Sequence, residues 1–436
     1  MADNRQHASI EGPVQGGARG RPFAASIVDL SPHGYREEEY FLSGTARCWA
    51  PRSGTRTGQD GMWAAQRIGA PQPYKTRLLA RIPPPDRFSG TVVVEWMQEL
   101  FGTERDIFFR WNAETLLRAG IAWIGVSLHH EGVDGPAPNS LVNWDPQRYG
   151  SLTIPDSSLG YDILSQAARC LHDLPGLGEG KVKTLLAAGN SLSAWRLSTY
   201  VNAVQPVEQI FDGFFLQDFR QKTVQDREDA AFPHDRYVRS DAISPVLMLN
   251  MTPAAMRSAG QPAGHMLRRW EPAGAAHTNT FLMARTAVAE ERDTGTIITC
   301  CPEDYANAIP SQYFSGAAIE ALVRWARDKK APQDFAPIDL ASAGGAPALD
   351  EYGNVTGGMR HPWVDVPVAR YGWEGECVGG SGRTYPFPSS RLARLYDGPQ
   401  DYHQKFAVAV RRAVRDGIIL PHDAEAAIAA AGRLTW

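Results

Sequence analysis

The sequence predicts an α/β fold: a mostly parallel central sheet with helices on both faces, lid or loop insertions, and a C-terminal helical extension. Three observations carry that expectation. Short runs of branched and aromatic residues alternate with amphipathic stretches, so successive strands are joined by helical crossovers. The runs are compact and rich in branched or aromatic residues, as in strands covered on both faces. The chain has 436 residues, 43% of them hydrophobic and 21% charged, which is enough apolar mass for a large core.

The elements follow in chain order. Residues 1–24 are rich in Gly, Gln and Arg and are expected to form a mobile N-terminal arm, with residues 25–436 as one domain. TRLLARIP (76–83), TVVVEWM (91–97), AWIGVSL (122–128), TLLAAG (184–189), FDGFFL (211–216) and SPVLMLNM (244–251) read as buried strands. IFFRWNAETLLRAG (107–120), SSLGYDILSQAARCLHDL (157–174), LSAWRLSTYVNAV (192–204) and residues 311–329 read as helices. Irregular insertions are expected at about 131–156, 219–243 and 278–309, lengths typical of lids and pocket walls. A C-terminal extension, 331–436, begins with a Pro/Gly-rich passage (331–388) and closes with helical patterns at 399–415 and 422–432.

Composition removes several function classes. Lys+Arg minus Asp+Glu is 44 − 48 = −4, so nothing electrostatic points to nucleic acid or an anionic membrane as partner. No run approaches the ~18 apolar residues of a membrane span. The opening MADNRQHASIEG lacks an apolar signal segment, so a cytoplasmic location is expected. The five cysteines (Cys48, Cys170, Cys300, Cys301, Cys377) form no CxxC pair, which suits a reducing compartment and argues against zinc. Cys300 and Cys301 read as loop thiols, and Gly379-Gly380-Ser381-Gly382 as a loop without the strand-to-helix setting of a phosphate cradle.

The sharpest chemical signal is TLLAAGNSLSAWRL. An apolar strand ends at Gly189-Asn190-Ser191-Leu192-Ser193 and an amphipathic helix begins at once, a G-x-S-x-S form of the nucleophile elbow. So tight a turn needs small residues two before and two after the nucleophile, and Gly189 and Ser193 provide them. The serine then stands at a helix N-terminus, where the dipole and unpaired N–H groups favour negative charge. The alternative is an ordinary N-cap serine. A serine nucleophile needs a base. His277, in MLRRWEPAGAAHTNTF, lies after the elbow in the order nucleophile–acid–base.

The acid is less plain. Its usual place follows SPVLMLNM, yet no Asp or Glu occurs from residue 242 to 270. Three readings stay open. Asp218, ending FDGFFLQD, can present a carboxylate from the preceding strand. Glu271 lies six residues before His277. A Ser–His dyad is the third, with Asn250 or Thr252 orienting the ring. Backbone amides of Leu192 and of Gln98 or Met97 are the candidate oxyanion donors. Trp96, His129, His130 and Trp195 are candidate pocket residues at the sheet edge. No HExxH or similar spacing occurs, so neither metal nor cofactor is expected.

Several stretches together resemble the large bacterial alpha/beta hydrolase domain-containing family. They are VVVEWMQ, GIAWIGVSL, RYGSL with SLGYDILSQA, GNSLSAWRLSTYVNAV, FDGFF, WEPAGAAH, RWARDKKAP and GNVTGGMRHPWVDVPVARY. The resemblance runs from about residue 70 to the C-terminus. It implies an alpha/beta-hydrolase fold with Ser191 as nucleophile, His277 as base, and GGMRHP close to the pocket. The sequence departs from the family where Met251 or Thr252 stands in place of a glutamate, and where Leu192 replaces an elbow Gln. The expected activity is hydrolysis of a carboxylic ester, lactone or thioester of an apolar small molecule through a Ser191 acyl-enzyme. The alternatives are acyl transfer or cyclisation by the same machinery, and a non-catalytic ligand-binding descendant.

Overall fold

The computed structural model describes residues 8–55, 60–219, 237–297, 306–342, 345–374 and 380–436. Most of the insertion expected at 219–243, the 298–305 part of the one expected at 278–309, and Cys300, Cys301, Cys377 and Gly379 lie outside the described residues.

The strands are β1 (Ser9–Glu11), β2 (Arg36–Pro51), β3 (Ala65–Ile82), β4 (Thr91–Trp96), β5 (Gln98–Leu100), β6 (Thr103–Arg105), β7 (Ala122–Val126), β8 (Thr184–Asn190), β9 (Gly213–Gln217), β10 (Val246–Leu249), β11 (Leu267–Trp270), β12 (Ala369–Gly372) and β13 (Arg383–Pro386). Nine form one sheet in the order β1-β2-β3-β7-β4-β8-β9-β10-β11. From β7 to β11 all neighbours are parallel, while β1, β2 and β3 are antiparallel. Every residue of β4, β7, β9 and β10 is buried. Such strands need helices on both faces, and Ile107–Arg118, Gly160–Arg169, Leu192–Thr199 and Ser311–Asp328 provide them. The six expected strands are all present, the first as the end of the longer β3. Among the described residues no helix is long and apolar enough to cross a membrane.

Three expectations are corrected. The arm 1–24 is packed from residue 9 onward: β1 pairs with Phe41–Ser43, and Phe23 and Ala24 are buried. Its backbone supplies partners that buried cations need, since Arg77 donates to the Phe23 carbonyl at 2.7 Å and Arg81 to that of Ala24 at 2.8 Å. The insertion at 278–309 is largely the helix Thr280–Thr294, capped by Asn279, whose side chain accepts from the Leu282 N–H at 2.9 Å. Its inner face mixes apolar and charged residues: Leu282 and Phe281 pack with Ile107 and Trp111, while Glu290 meets Arg105 at 2.7 Å and Asp293 meets Arg21. The insertion at 131–156 holds three single-turn helices, His130–Val133, Leu141–Trp144 and Pro146–Tyr149.

Candidate active site

The elbow forms where β8 meets the helix Leu192–Thr199. Ser191 sits at φ 57°, ψ −115°, outside the ordinary regions for a residue with a Cβ. Such a conformation costs about 1–3 kcal/mol and persists only where its surroundings impose it. Here the Ser191 N–H donates to the Gln217 carbonyl at 2.9 Å, and the Ser191 carbonyl accepts from the Trp195 N–H at 3.0 Å. The side chain is thereby fixed at the carboxyl edge of the parallel strands, where ligands bind in open α/β sheets.

Gly189 has a steric reason to be glycine. A Cβ there would lie 2.8 Å from the Ser193 carbonyl carbon and 2.9 Å from both the Ser193 oxygen and the Ala194 nitrogen. All three are backbone atoms of the elbow helix and cannot swing aside. Gly189→Ala is therefore expected to destabilise the protein by about 1–3 kcal/mol through overpacking. A melting temperature equal to that of the wild type would contradict this.

Asp218 follows β9, one strand over from the elbow. It is fully buried, with φ 53°. Its Oδ2 lies 2.8 Å from His277 Nδ1, and its Oδ1 accepts from the Met251 N–H at 2.7 Å. The loop after β10, which lacks a carboxylate, thus contributes a backbone donor that orients a carboxylate arriving from β9. Of the three readings of the acid, the structure brings Asp218 to the histidine. Glu271 is turned elsewhere: its carboxylate accepts from the Ile338 N–H at 2.9 Å, so the Glu271 alternative is corrected to a brace for the C-terminal extension. Asn250 does not orient the ring either. Its Oδ1 accepts from the Phe219 N–H at 3.2 Å and its Nδ2 donates to Ser258 Oγ at 2.9 Å.

The loop bearing His277 is held by the C-terminal extension. The Met359 N–H donates to the Glu271 carbonyl at 2.7 Å, and the Ala273 N–H to the Met359 carbonyl at 3.3 Å. His361 Nε2 lies 2.8 Å from the Ala273 carbonyl oxygen. Burial pushes the His361 ring down to about 3, so it stays neutral and donates from Nε2. The GGMRHP passage therefore touches the base of this loop. Gly380 lies on the other side, its carbonyl accepting from the Thr278 N–H at 3.3 Å.

On the opposite wall, two expectations change. The Met97 N–H is taken by the Val126 carbonyl at 3.2 Å, which removes Met97 as an oxyanion donor. Gln98 opens the hairpin β5–β6, in register with Arg105. Leu192 is the first residue of the elbow helix, so its N–H has no carbonyl partner within that helix. Trp96 and His129 are a buried pair and not an open pocket wall: Trp96 Nε1 donates to His129 Nε2 at 2.8 Å, and burial holds His129 well below the ordinary histidine range. His130 turns its Nδ1 to Asp134 and the Ile154 carbonyl, both at 3.0 Å, and Trp195 is buried on the elbow helix.

Glu95 is a functionally suggestive carboxylate with a structural use. Asp106, at the start of helix Ile107–Arg118, is held by Arg81 and Arg110, each at 2.7 Å, and does not cap it. Glu95 substitutes, accepting from the Phe108 N–H at 2.9 Å, the Phe109 N–H at 3.1 Å and Trp123 Nε1 at 2.9 Å. Burial, then Asp106, raise its pKa from 4.5 to about 8 against the pull of those donors. A carboxyl whose folded pKa is raised adds stability that is full below about 4.5 and lost as pH rises toward 8. Thermal melts are thus expected to fall more steeply between these limits for the wild type than for Glu95→Gln. Parallel curves would refute it.

A family model described as the alpha/beta hydrolase domain matches residues 10–429. No curated protein sequence matches the chain. Among solved structures it is similar to Thermogutta terrifontis esterase 2, at 12% identity over 45% of this chain and 78% of that one, with a TM-score of 0.29. It is also similar to a thermostable esterase from Pseudomonas putida, at 14% identity over 56% and 74%, with a TM-score of 0.32. With a family match spanning nearly its whole length and a mostly parallel sheet clothed by helices, the chain belongs to the alpha/beta hydrolase domain family and is a hydrolase in class.

Proposed function

We propose that the protein is a serine hydrolase of carboxylic esters, lactones or thioesters, with Ser191, His277 and Asp218 as its triad. One observation carries the reading: the His277 Nδ1–Asp218 Oδ2 contact of 2.8 Å beside a serine held in the strained elbow conformation. Ser191 Oγ attacks the substrate carbonyl carbon while His277 Nε2 takes its proton. Asp218 keeps the ring in the tautomer with Nδ1–H and stabilises the imidazolium. The Leu192 amide, with Gln98 as second donor across the site, receives the oxyanion. His277 then returns the proton to the leaving alcohol or thiol, and water repeats the cycle on the acyl-enzyme. The substrate is an apolar small molecule, and the cytoplasm is the proposed compartment. The test is a fluorophosphonate probe followed by peptide mapping. An adduct on Ser191 supports the reading, and labelling elsewhere or none overturns it.

A further inference from the structure

The hairpin β5–β6 carries a feature that its own folding does not explain. Its two loop residues, Phe101 and Gly102, both have positive φ, 56° and 73°, the signature of a type I′ turn. The first of these positions favours Gly, which has no Cβ, or Asn and Asp, whose short polar side chains hydrogen-bond locally, while a bulky apolar side chain is strained there. It holds a phenylalanine, and that ring is 67% exposed, the most exposed large hydrophobic side chain among the described residues. The backbone conformation and the solvation of the ring both oppose phenylalanine at this place.

The display is rigid. The Gly102 N–H donates to Glu99 Oε1 at 2.5 Å, and a Cβ on Gly102 would collide with the Ala137 side chain. Glu104 is buried against Arg77 at 2.9 Å and Ser127 at 2.5 Å. The hairpin begins at Gln98, directly after β4, and β5 touches the elbow helix Leu192–Thr199. Phe101 is three residues along the hairpin from Gln98, the proposed second oxyanion donor, about 10 Å at strand rise.

We infer that Phe101 is a substrate-contact residue, an apolar lip that selects esters with an extended hydrocarbon chain over short ones. The inference rests on the serine hydrolase reading above. A chain leaving the site along this wall meets the ring and removes its exposed face from water, which offsets the cost of holding an aromatic there. Acetyl groups are too short to reach it.

The test compares p-nitrophenyl octanoate with p-nitrophenyl acetate in the full-length protein. Phe101→Asn is expected to lower the octanoate-to-acetate ratio of kcat/KM by about five- to twentyfold, mainly through KM for octanoate. Phe101→Leu, which stays apolar, is expected to retain most of the ratio. Because Asn suits the turn, Phe101→Asn should melt no lower than the wild type, which separates lost selectivity from lost fold. Val408→Asn, at a 61% exposed residue of the distant helix Pro399–Arg415, should leave the ratio unchanged. An unaltered ratio in Phe101→Asn overturns the inference, as does an altered oligomeric state without an altered ratio, which would make Phe101 a protein contact. No turnover of either ester together with no fluorophosphonate adduct on Ser191 would instead remove the hydrolase reading, and this inference with it.

Discussion

Ser191→Ala is expected to abolish fluorophosphonate labelling and to lower ester turnover by on the order of 10⁶, the scale at which a triad nucleophile acts. The substitution removes one oxygen from a buried residue whose backbone is held by Gln217 and Trp195. The strained φ of 57° is imposed by those two bonds and by the packing of Gly189 on the helix, so alanine inherits it and the fold persists. The check is paired: steady-state turnover on a p-nitrophenyl ester, and thermal unfolding. A variant that keeps more than about a tenth of wild-type turnover would remove Ser191 from the mechanism.

Asp218→Asn is expected to lower kcat by a factor between about 10² and 10⁴ with little change in KM. The geometry makes this substitution informative. Asparagine Oδ1 can still accept from the Met251 N–H, so the turn stays tied. Its Nδ2 would then face His277 Nδ1, at a position where the carboxylate now lies 2.8 Å away. An amide donor there forces Nδ1 to accept, which places the ring proton on Nε2, where the base needs a lone pair. Glu271→Gln is expected to cost far less, since that carboxylate holds the Ile338 N–H. If Asp218→Asn were as active as the wild type, His277 would be working without an acid. If Glu271→Gln were the more damaging of the two, the acid would have been misassigned.

Much of the frame was legible. The inner strands announced themselves because burial on both faces makes each a short, mostly apolar run, with Glu95 the lone charge within β4. The elbow was legible because its turn tolerates only small residues at Gly189 and Ser193, a local constraint that writes itself into local sequence. β2 escaped because it opens with Arg36-Glu37-Glu38-Glu39, which reads as surface. Glu39 is in fact buried, bonded to Arg77 at 3.1 Å, Arg148 at 2.6 Å and Tyr149 at 2.7 Å. A charge can sit inside when its partners come from far along the chain, and those partners cannot be read beside it. The helix Thr280–Thr294 escaped for the same reason, since Glu290 and Asp293 on its buried face look outward-facing until Arg105 and Arg21 are placed against them.

The sequence by itself determined the class of the fold, the elbow and its serine, and a histidine in the right order behind it. These depend on periodicity and on residue size at adjacent positions, which act over a few residues. Only the tertiary structure decided the partner of that histidine. Asp218, Met251 and His277 belong to three separate segments that follow β9, β10 and β11. The parallel register of Gln217 with Asn190 on one side and Leu249 on the other brings the first two together at one sheet edge, and the loop after β11 returns the third. A carboxylate can therefore leave its usual loop for the neighbouring strand and still meet the same ring, because adjacent strands lie only about 4.8 Å apart. Sequence separation hides that displacement, and strand pairing resolves it.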